Sequence, residues 1–266
     1  MNINGVLQNK TGSRQLLAHL LMIAQLSGTQ QSIVLVINEE EPLMSKFADI
    51  KGFVFDLDGV IADTSVYHSQ AWHQLADELG VAWSEELADN LKGVSRMDSL
   101  NLILKTGGKE NDYTEAEKVA YAAKKNTNYL NLLKGMDKTA ILPGIEDFLA
   151  DLAKHGYRLS LASASKNSPL VLEQLGLAHY FEARVDPATL KHGKPDPEIF
   201  ERGAEVLGLK PEECAGVEDA KVGIQSINGA GETSIGIGDP AILTGADVNF
   251  TSTSELTLAN LKAALA

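Results

Sequence analysis

Cysteine is almost absent: Cys214 is the only one in 266 residues. One thiol cannot close an internal disulfide or build a cysteine-based zinc site, so a reducing compartment is the default. Positive charge is scarce too, with 23 Lys and Arg against 36 Asp and Glu and a net charge of −13. That balance argues against a protein that grips a nucleic-acid backbone, which needs a basic face. It leaves room for a small anion in a locally positive pocket. No apolar run reaches the roughly 18 residues of a membrane span. The nearest, Leu16 to Leu26, is interrupted by His19 and Gln25. Lys10 and Arg14 before it give a faint signal-peptide look, but no convincing small-residue cleavage site follows, and Ser27-Gly28-Thr29 reads as a turn between a helix and a strand. Internal repeats and low-complexity tracts are missing as well. What remains, 44% hydrophobic and 22% charged, is the composition of a globular chain. The length fits one large domain or two smaller ones.

The pattern divides the chain into blocks. After the helical stretch ahead of Ser27, Ser32 to Asn38 reads as a strand, closed by Glu39 to Pro42. The domain proper is expected to start near Met44. Phe53-Val54-Phe55 is a short continuous apolar run, the mark of a strand buried on both faces, and it stops abruptly at Asp-Leu-Asp-Gly. From Ser65 to about Met136 only helices are expected: 68–79, 84–91, 95–104 and 114–133. Ser95 is a fair N-cap, and Thr114 with Glu117 makes a capping box. Beyond residue 142 strands and helices alternate. The expected strands are 157–163, 183–186, 214–218 and 234–237, and the last helix covers 254–264. Repeated strand–helix units imply a parallel sheet covered on both faces. The expected fold is therefore α/β, a Rossmann-like parallel core with an inserted all-helical cap. The division would be 1–47 as an extension, 48–63 and 137–266 as the core, and 64–136 as the cap.

In an open parallel sheet, ligands bind beyond the carboxyl ends of the strands. The first strand delivers Asp56 and Asp58 there; the second delivers Ser163, Ala164, Ser165 and Lys166; Lys194-Pro195 follows the third; the fourth delivers Glu218 and Asp219. Each group alone has a bland explanation. Asp-Leu-Asp-Gly suits an Asx-turn, Ser163 and Ser165 suit turns or caps, Lys194 a solvated surface, and Glu218-Asp219 a helix N-terminus. Their placement at successive strand ends is what points to chemistry. Clustered carboxylates repel unless a cation neutralises them, and oxygen ligands suit Mg²⁺. Lysine and hydroxyl donors opposite them suit a phosphoryl group. Together they suggest phosphoryl transfer through an aspartyl-phosphate, with Asp58 placed to act as acid and base.

With Phe-Asp-Leu-Asp-Gly-Val at 55–60, Ser163, Lys194-Pro195 and Gly216-Val217-Glu218-Asp219, the chain resembles the haloacid dehalogenase-type phosphotransferases over about residues 48–250. The helical insertion matches the subgroup with a cap after the first motif. Within it, Asp63-Thr64, Tyr67-His68, Ala71-Trp72, Leu91 to Arg96 with Asp98-Ser99, Lys125-Asn126 with Asn128-Tyr129, and Ala162 to Asn167 are similar to the β-phosphoglucomutase family. That family interconverts β-glucose 1-phosphate and glucose 6-phosphate. Residues 1–43 have no counterpart in the pattern, and Ala220 stands where a serine or threonine is familiar.

The resemblance implies roles. Asp56 would be the nucleophile and Asp58 the acid/base. Asp56, Asp219, the backbone carbonyl of Asp58 and the adjacent Glu218 would serve Mg²⁺. Ser163 and Lys194 would hold the transferring phosphoryl oxygens, where the transition state spreads negative charge. The intermediate, β-glucose 1,6-bisphosphate, carries two phosphates, so one must be gripped at a distance. Arg96 offers a forked donor set for it, helped from the core side by Lys166 and Asn167, with Ala164 and Ser165 also in the substrate site. Thr64, His68, Trp72 and Lys125 on one side, and Lys92, Gly93, Val94, Ser95 and Ser99 on the other, would complete the sugar-phosphate pocket, with His68 and Lys125 coupling cap closure to Asp58. Without the resemblance, His68, Trp72 and Lys125 read as a helix residue, cap core and a solvated face. The expected protein is a cytoplasmic monomer acting on small sugar phosphates, with no nucleic-acid or membrane partner. Its rivals are a capped sugar-phosphate phosphatase, which Leu91 to Arg96 argues against, and a silent sugar-phosphate-binding regulator, which the intact acidic and basic groups argue against.

Overall fold

The computed structural model describes residues 46–181 and 183–266. The expectations for a helix around 16–26 and a strand at 32–38, and Met44 itself, lie outside the described residues. The six strands are β1 (Gly52–Phe55), β2 (Arg158–Leu161), β3 (Ala183–Arg184), β4 (Cys214–Glu218), β5 (Thr233–Ile237) and β6 (Val248–Phe250). All neighbours pair in parallel, in the order β3-β2-β1-β4-β5-β6. This is the doubly wound order in which the chain reverses direction between β1 and β4, opening a crevice at their carboxyl ends.

The central strand shows why its sequence is an unbroken apolar run. Phe53 and Phe55 point to one face, where Phe53 meets Phe148 edge-on at 5.9 Å and Phe55 meets Phe181 at 5.7 Å. Val54 points to the other face, into a cluster with Ile199, Phe200, Ile224 and Ile227. All four residues of β1 are buried, so alternation in side-chain direction leaves no polar position to mark a surface. Helices α5 (Ile145–Lys154) and α6 (Ser168–Leu175) cover the phenylalanine face; α7 (Glu198–Val206) and α8 (Lys221–Ala230) cover the valine face; α9 (Leu258–Ala264) closes the chain.

Between β1 and α5 lie four α-helices and no strand: α1 (Ser65–Glu78), α2 (Glu85–Asn90), α3 (Arg96–Thr106) and α4 (Glu115–Leu133). The expected caps form. Ser95 Oγ accepts from the Asp98 N–H, and Thr114 and Glu117 make the reciprocal capping box. These helices bury an apolar cluster of their own around Trp72, Leu75, Leu100 and Ile103, separate from the two clusters of the sheet.

Three features differ from expectation. β6 is an additional strand; its three residues are too few to show an alternation, and it exists because Val248 and Phe250 continue the sheet beside Ile235 and Ile237. The last helix starts at Leu258, because Thr257 rather than an earlier residue caps it by accepting from the Asn260 N–H. Phe47, expected in the extension, is buried edge-on to Tyr157, while Lys46 pairs with Asp247 at 2.6 Å.

Candidate active site

The crevice at the ends of β1 and β4 collects three carboxylates around one ammonium. The Asp56 N–H donates to Val217 O at 3.0 Å, so the ladder continues one residue past β1 and holds Asp56 at the rim. Lys194 Nζ donates to Asp56 Oδ1 and to Glu218 Oε2, both at 2.7 Å, and its side chain is wholly buried. The other Glu218 oxygen accepts from the N–H groups of Asp219 and Ala220 at the start of α8. Two glycines make the space. A side chain at Gly59, which sits at φ +82°, would strike Asp219, and one at Gly223 would strike Glu218. One ligand oxygen from each of Asp56, Glu218 and Asp219 lies within 4.8 Å of the others.

The charges do not balance. Burial pushes the carboxyl groups of Asp56 and Asp219 up and brings Glu218 to about 7; Lys194 draws them back, and each carboxylate repels the next. Burial works against the Lys194 charge as well, yet Asp56 and Glu218 outweigh it and hold the ammonium above its ordinary range. One lysine for three carboxylates leaves net negative charge in a low-dielectric crevice. An all-oxygen donor set with that deficit fits a hard divalent cation such as Mg²⁺.

Asp58 takes a different position. Its N–H reaches back to Asp56 Oδ2 at 3.1 Å, while its carboxylate accepts a short hydrogen bond from Thr64 and faces His68 Nε2 at 3.7 Å. Behind His68, the buried Lys125 ammonium donates to Nδ1 at 2.8 Å and lies over the rings of Trp72 and Tyr129. Burial lowers Lys125 to about 7 against the pull of Asp58, and burial together with Lys125 and Arg96 keeps His68 neutral. The hydroxyl of Tyr129, whose ring is tilted against His68 at 4.0 Å, is buried without a hydrogen-bond partner among the described residues.

A cavity of about 1230 Å³ lies between this rim and the four-helix insertion. The loop Leu91–Ser95 roofs it, with Gly93 packed over Ala220, Val222 and the Lys194 stem. Across from the carboxylates, Arg96 donates to Asn126 Oδ1 at 2.7 Å.

This pairing of rim and roof matches known proteins. The haloacid dehalogenase-like hydrolase family model matches residues 50–231. A β-phosphoglucomutase of Bacillus subtilis is 42% identical over 209 residues, 79% of this chain and 92% of that protein. The chain belongs to the β-phosphoglucomutase family of haloacid dehalogenase-like proteins. A crystal structure of the Clostridium difficile β-phosphoglucomutase superposes with a TM-score of 0.79 at 40% identity, covering 81% of this chain and 97% of that one. A fructose-1-phosphate phosphatase of Escherichia coli is 30% identical over 191 residues, 70% of this chain and 95% of that protein.

In this β-phosphoglucomutase-family chain the expected residues fall into three groups. Asp56, Asp58, Lys194 and Asp219 line the cavity from the core, with Ala164, Ser165 and the exposed Lys166 beside them. His68, Trp72, Lys125 and Lys92 to Arg96 line it from the insertion, as does Ser99, whose hydroxyl is turned back onto Val94 O at 3.4 Å. Ser163, Thr64, Glu218 and Asn167 are each one residue away from that lining. Ser163 is buried and accepts from the Ser165 N–H; Thr64 and Glu218 hold Asp58 and Lys194; Asn167 bonds to Asn126. Asn126 belongs to the family pattern, but sequence reasoning gave it no place in the site. A polar residue beside Lys125 on an amphipathic helix carries no signal of what it faces. Its role appears only when α3, α4 and the loop after β2 come together.

Proposed function

We propose that the chain is a β-phosphoglucomutase, an isomerase that converts β-glucose 1-phosphate to glucose 6-phosphate through β-glucose 1,6-bisphosphate. The observation that carries this reading is a single cavity with Asp56 and its lysine on one wall and the Arg96 guanidinium on the other. A phosphatase needs only the first wall; a substrate with two phosphates needs both.

Asp56 is the nucleophile: its carboxylate forms a bond to phosphorus as the bond from phosphorus to the sugar oxygen breaks. The resulting aspartyl-phosphate gives its phosphoryl group to the 6-hydroxyl of β-glucose 1-phosphate, and Asp58 takes the hydroxyl proton. The bisphosphate then presents its 1-phosphate to Asp56, Asp58 returns the proton to the leaving oxygen, and glucose 6-phosphate departs from a rephosphorylated enzyme. Lys194 neutralises the transferring oxygens, and Ser163 helps to hold them. Arg96, Lys166 and Asn167 serve the distal phosphate, while Lys92, Gly93, Val94 and Ser95 roof the site and keep water from the aspartyl-phosphate. Trp72, His68 and Lys125 form the sugar-side wall, with Thr64 holding Asp58 and Ser99 supporting the roof loop. Mg²⁺ would be held by Asp56, Asp219 and the Asp58 carbonyl with Glu218 adjacent, and when bound supplies charge neutralisation of the phosphoryl oxygens.

We further propose that 64–136 acts as a cap on a core formed by 48–63 and 137–266, and that the protein works as a cytoplasmic monomer on free sugar phosphates. Among the described residues no helix is long and apolar enough to cross a membrane. The deciding experiment is phosphorus NMR with Mg²⁺, β-glucose 1-phosphate and a trace of the 1,6-bisphosphate. Accumulating glucose 6-phosphate with little free phosphate is the expected result. Mainly inorganic phosphate would make the protein a sugar-phosphate phosphatase.

A further inference from the structure

Arg96 opens α3 half-buried, and among the described residues no carboxylate pairs with it. Its partner is neutral: Nη2 donates to Asn126 Oδ1 on α4 at 2.7 Å. The same oxygen accepts from Asn167 Nδ2 at 2.8 Å. Asn167 stands at the N-cap of α6, yet its side chain makes no capping hydrogen bond. Asparagine is among the strongest N-cap residues, so this side chain forgoes its usual local bond to reach the roof instead. One amide oxygen thus gathers two helices of the insertion and the loop that follows β2.

A carboxylate at 126 would hold the same two donors more strongly. It would also cancel the guanidinium charge in a partly desolvated place. An amide oxygen orients the fork and leaves its full positive charge to an incoming anion.

We propose that Asn126 is a positioning residue for the distal-phosphate grip: it aims Arg96 and Asn167 at the second phosphate and ties roof to core through a neutral acceptor. This rests on the mutase reading above. Arg96 supplies the charge; Asn126 decides where that charge points and that it stays unpaired.

The test compares the wild-type protein with Asn126→Asp and Asn126→Ala. Three properties are measured: KM and kcat for sugar phosphate with the 1,6-bisphosphate as variable substrate, turnover of acetyl phosphate, and thermal midpoint. Acetyl phosphate is a phosphoryl donor without a second anion. In Asn126→Asp the hydrogen bonds persist and the thermal midpoint holds, but KM for the bisphosphate rises about 30-fold with kcat changed less than about threefold. In Asn126→Ala the midpoint falls and KM rises about tenfold, because the aim is lost but the charge remains. Acetyl phosphate turnover falls less than about threefold in both, since it asks nothing of the distal grip.

A KM for Asn126→Asp within about threefold of wild type overturns the proposal, because a purely structural clasp is kept by aspartate. Acetyl phosphate turnover that falls in step with sugar-phosphate turnover overturns it as well. Wild-type protein that yields only inorganic phosphate overturns the mutase reading instead. The KM comparison then stands on bisphosphate hydrolysis and still decides the role of Asn126.

Discussion

Two buried glutamates lie near opposite ends of β4, Glu218 on the strand itself and Glu232 just before the neighbouring β5, and the two live by different rules. At the carboxyl end of β4 Glu218 is fully buried, bonded to Lys194 and to two backbone N–H groups at the start of α8. Near the start of β4, beside Cys214, Glu232 is 4% exposed, and neither carboxyl oxygen has a hydrogen-bond partner among the described residues. Burial raises both. At Glu218 the lysine pulls back, leaving it at about 7. At Glu232 nothing pulls back and the group is held well above its ordinary range. Burial, with smaller contributions from Glu232, Glu213 and Glu212, pushes the Cys214 thiol up to about 12. The lesson is that burial alone does not decide whether a carboxyl group is charged. At the rim Lys194 and backbone N–H groups offset part of the cost of burial, whereas Glu232 has no such donor among the described residues.

The sharpest way to break that comparison is at the rim. Asp56→Asn keeps an acceptor for Lys194 but removes the proposed nucleophile, and kcat should fall by at least about 10⁴-fold. Circular dichroism should stay unchanged; retained turnover in phosphorus NMR would remove Asp56 from its role. Lys194→Met strands two buried carboxylates without their cation. Urea unfolding of the metal-free protein should then show a loss of about 3–5 kcal/mol; a loss below about 1 kcal/mol would mean that the ammonium does not hold the cluster.

At the other end the sign reverses. The folded state keeps a proton on Glu232 that the unfolded chain releases above the ordinary value of 4.5. The folded state therefore binds more protons, and stability falls as pH rises from that value toward the raised one. Glu232→Gln removes this slope. Relative to wild type it should gain stability as pH rises from about 5 to about 8 in urea titrations, because only the wild-type folded state must hold a proton that its unfolded chain gives up. A gap that does not grow with pH would show that Glu232 finds a partner. The smallest effect is expected at Ala220, the N-cap of α8 with no side-chain cap bond. Ala220→Ser should raise Tm by about 2–4 °C through a new cap worth about 1 kcal/mol. An unchanged Tm would mean that the Glu218 carboxylate already satisfies that helix end.

Much of this was readable in the chain order of residues. Phe53-Val54-Phe55 had to be a doubly buried strand because no polar residue alternates with the apolar ones, and the abrupt stop at Asp56 placed a carboxylate at its carboxyl end. Thr114 with Glu117, and Ser95, marked helix starts because caps are local chemistry between neighbours in sequence. β6 was not readable, since three residues show no period.

The sequence by itself determined the parallel sheet, the helical insertion and the convergence of Asp56, Lys194, Glu218 and Asp219, because strand ends and caps are set by local pattern and a few topological rules. Only the tertiary structure decided how those groups are answered. Lys194 is shared by two carboxylates 138 and 24 residues away, Asn126 joins Arg96 to Asn167 across 30 and 41 residues, and Glu232 has no hydrogen-bond partner among the described residues. The physical reason is that hydrogen bonding and charge pairing act over a few ångströms in space, and which side chains come that close is settled only when the helices pack.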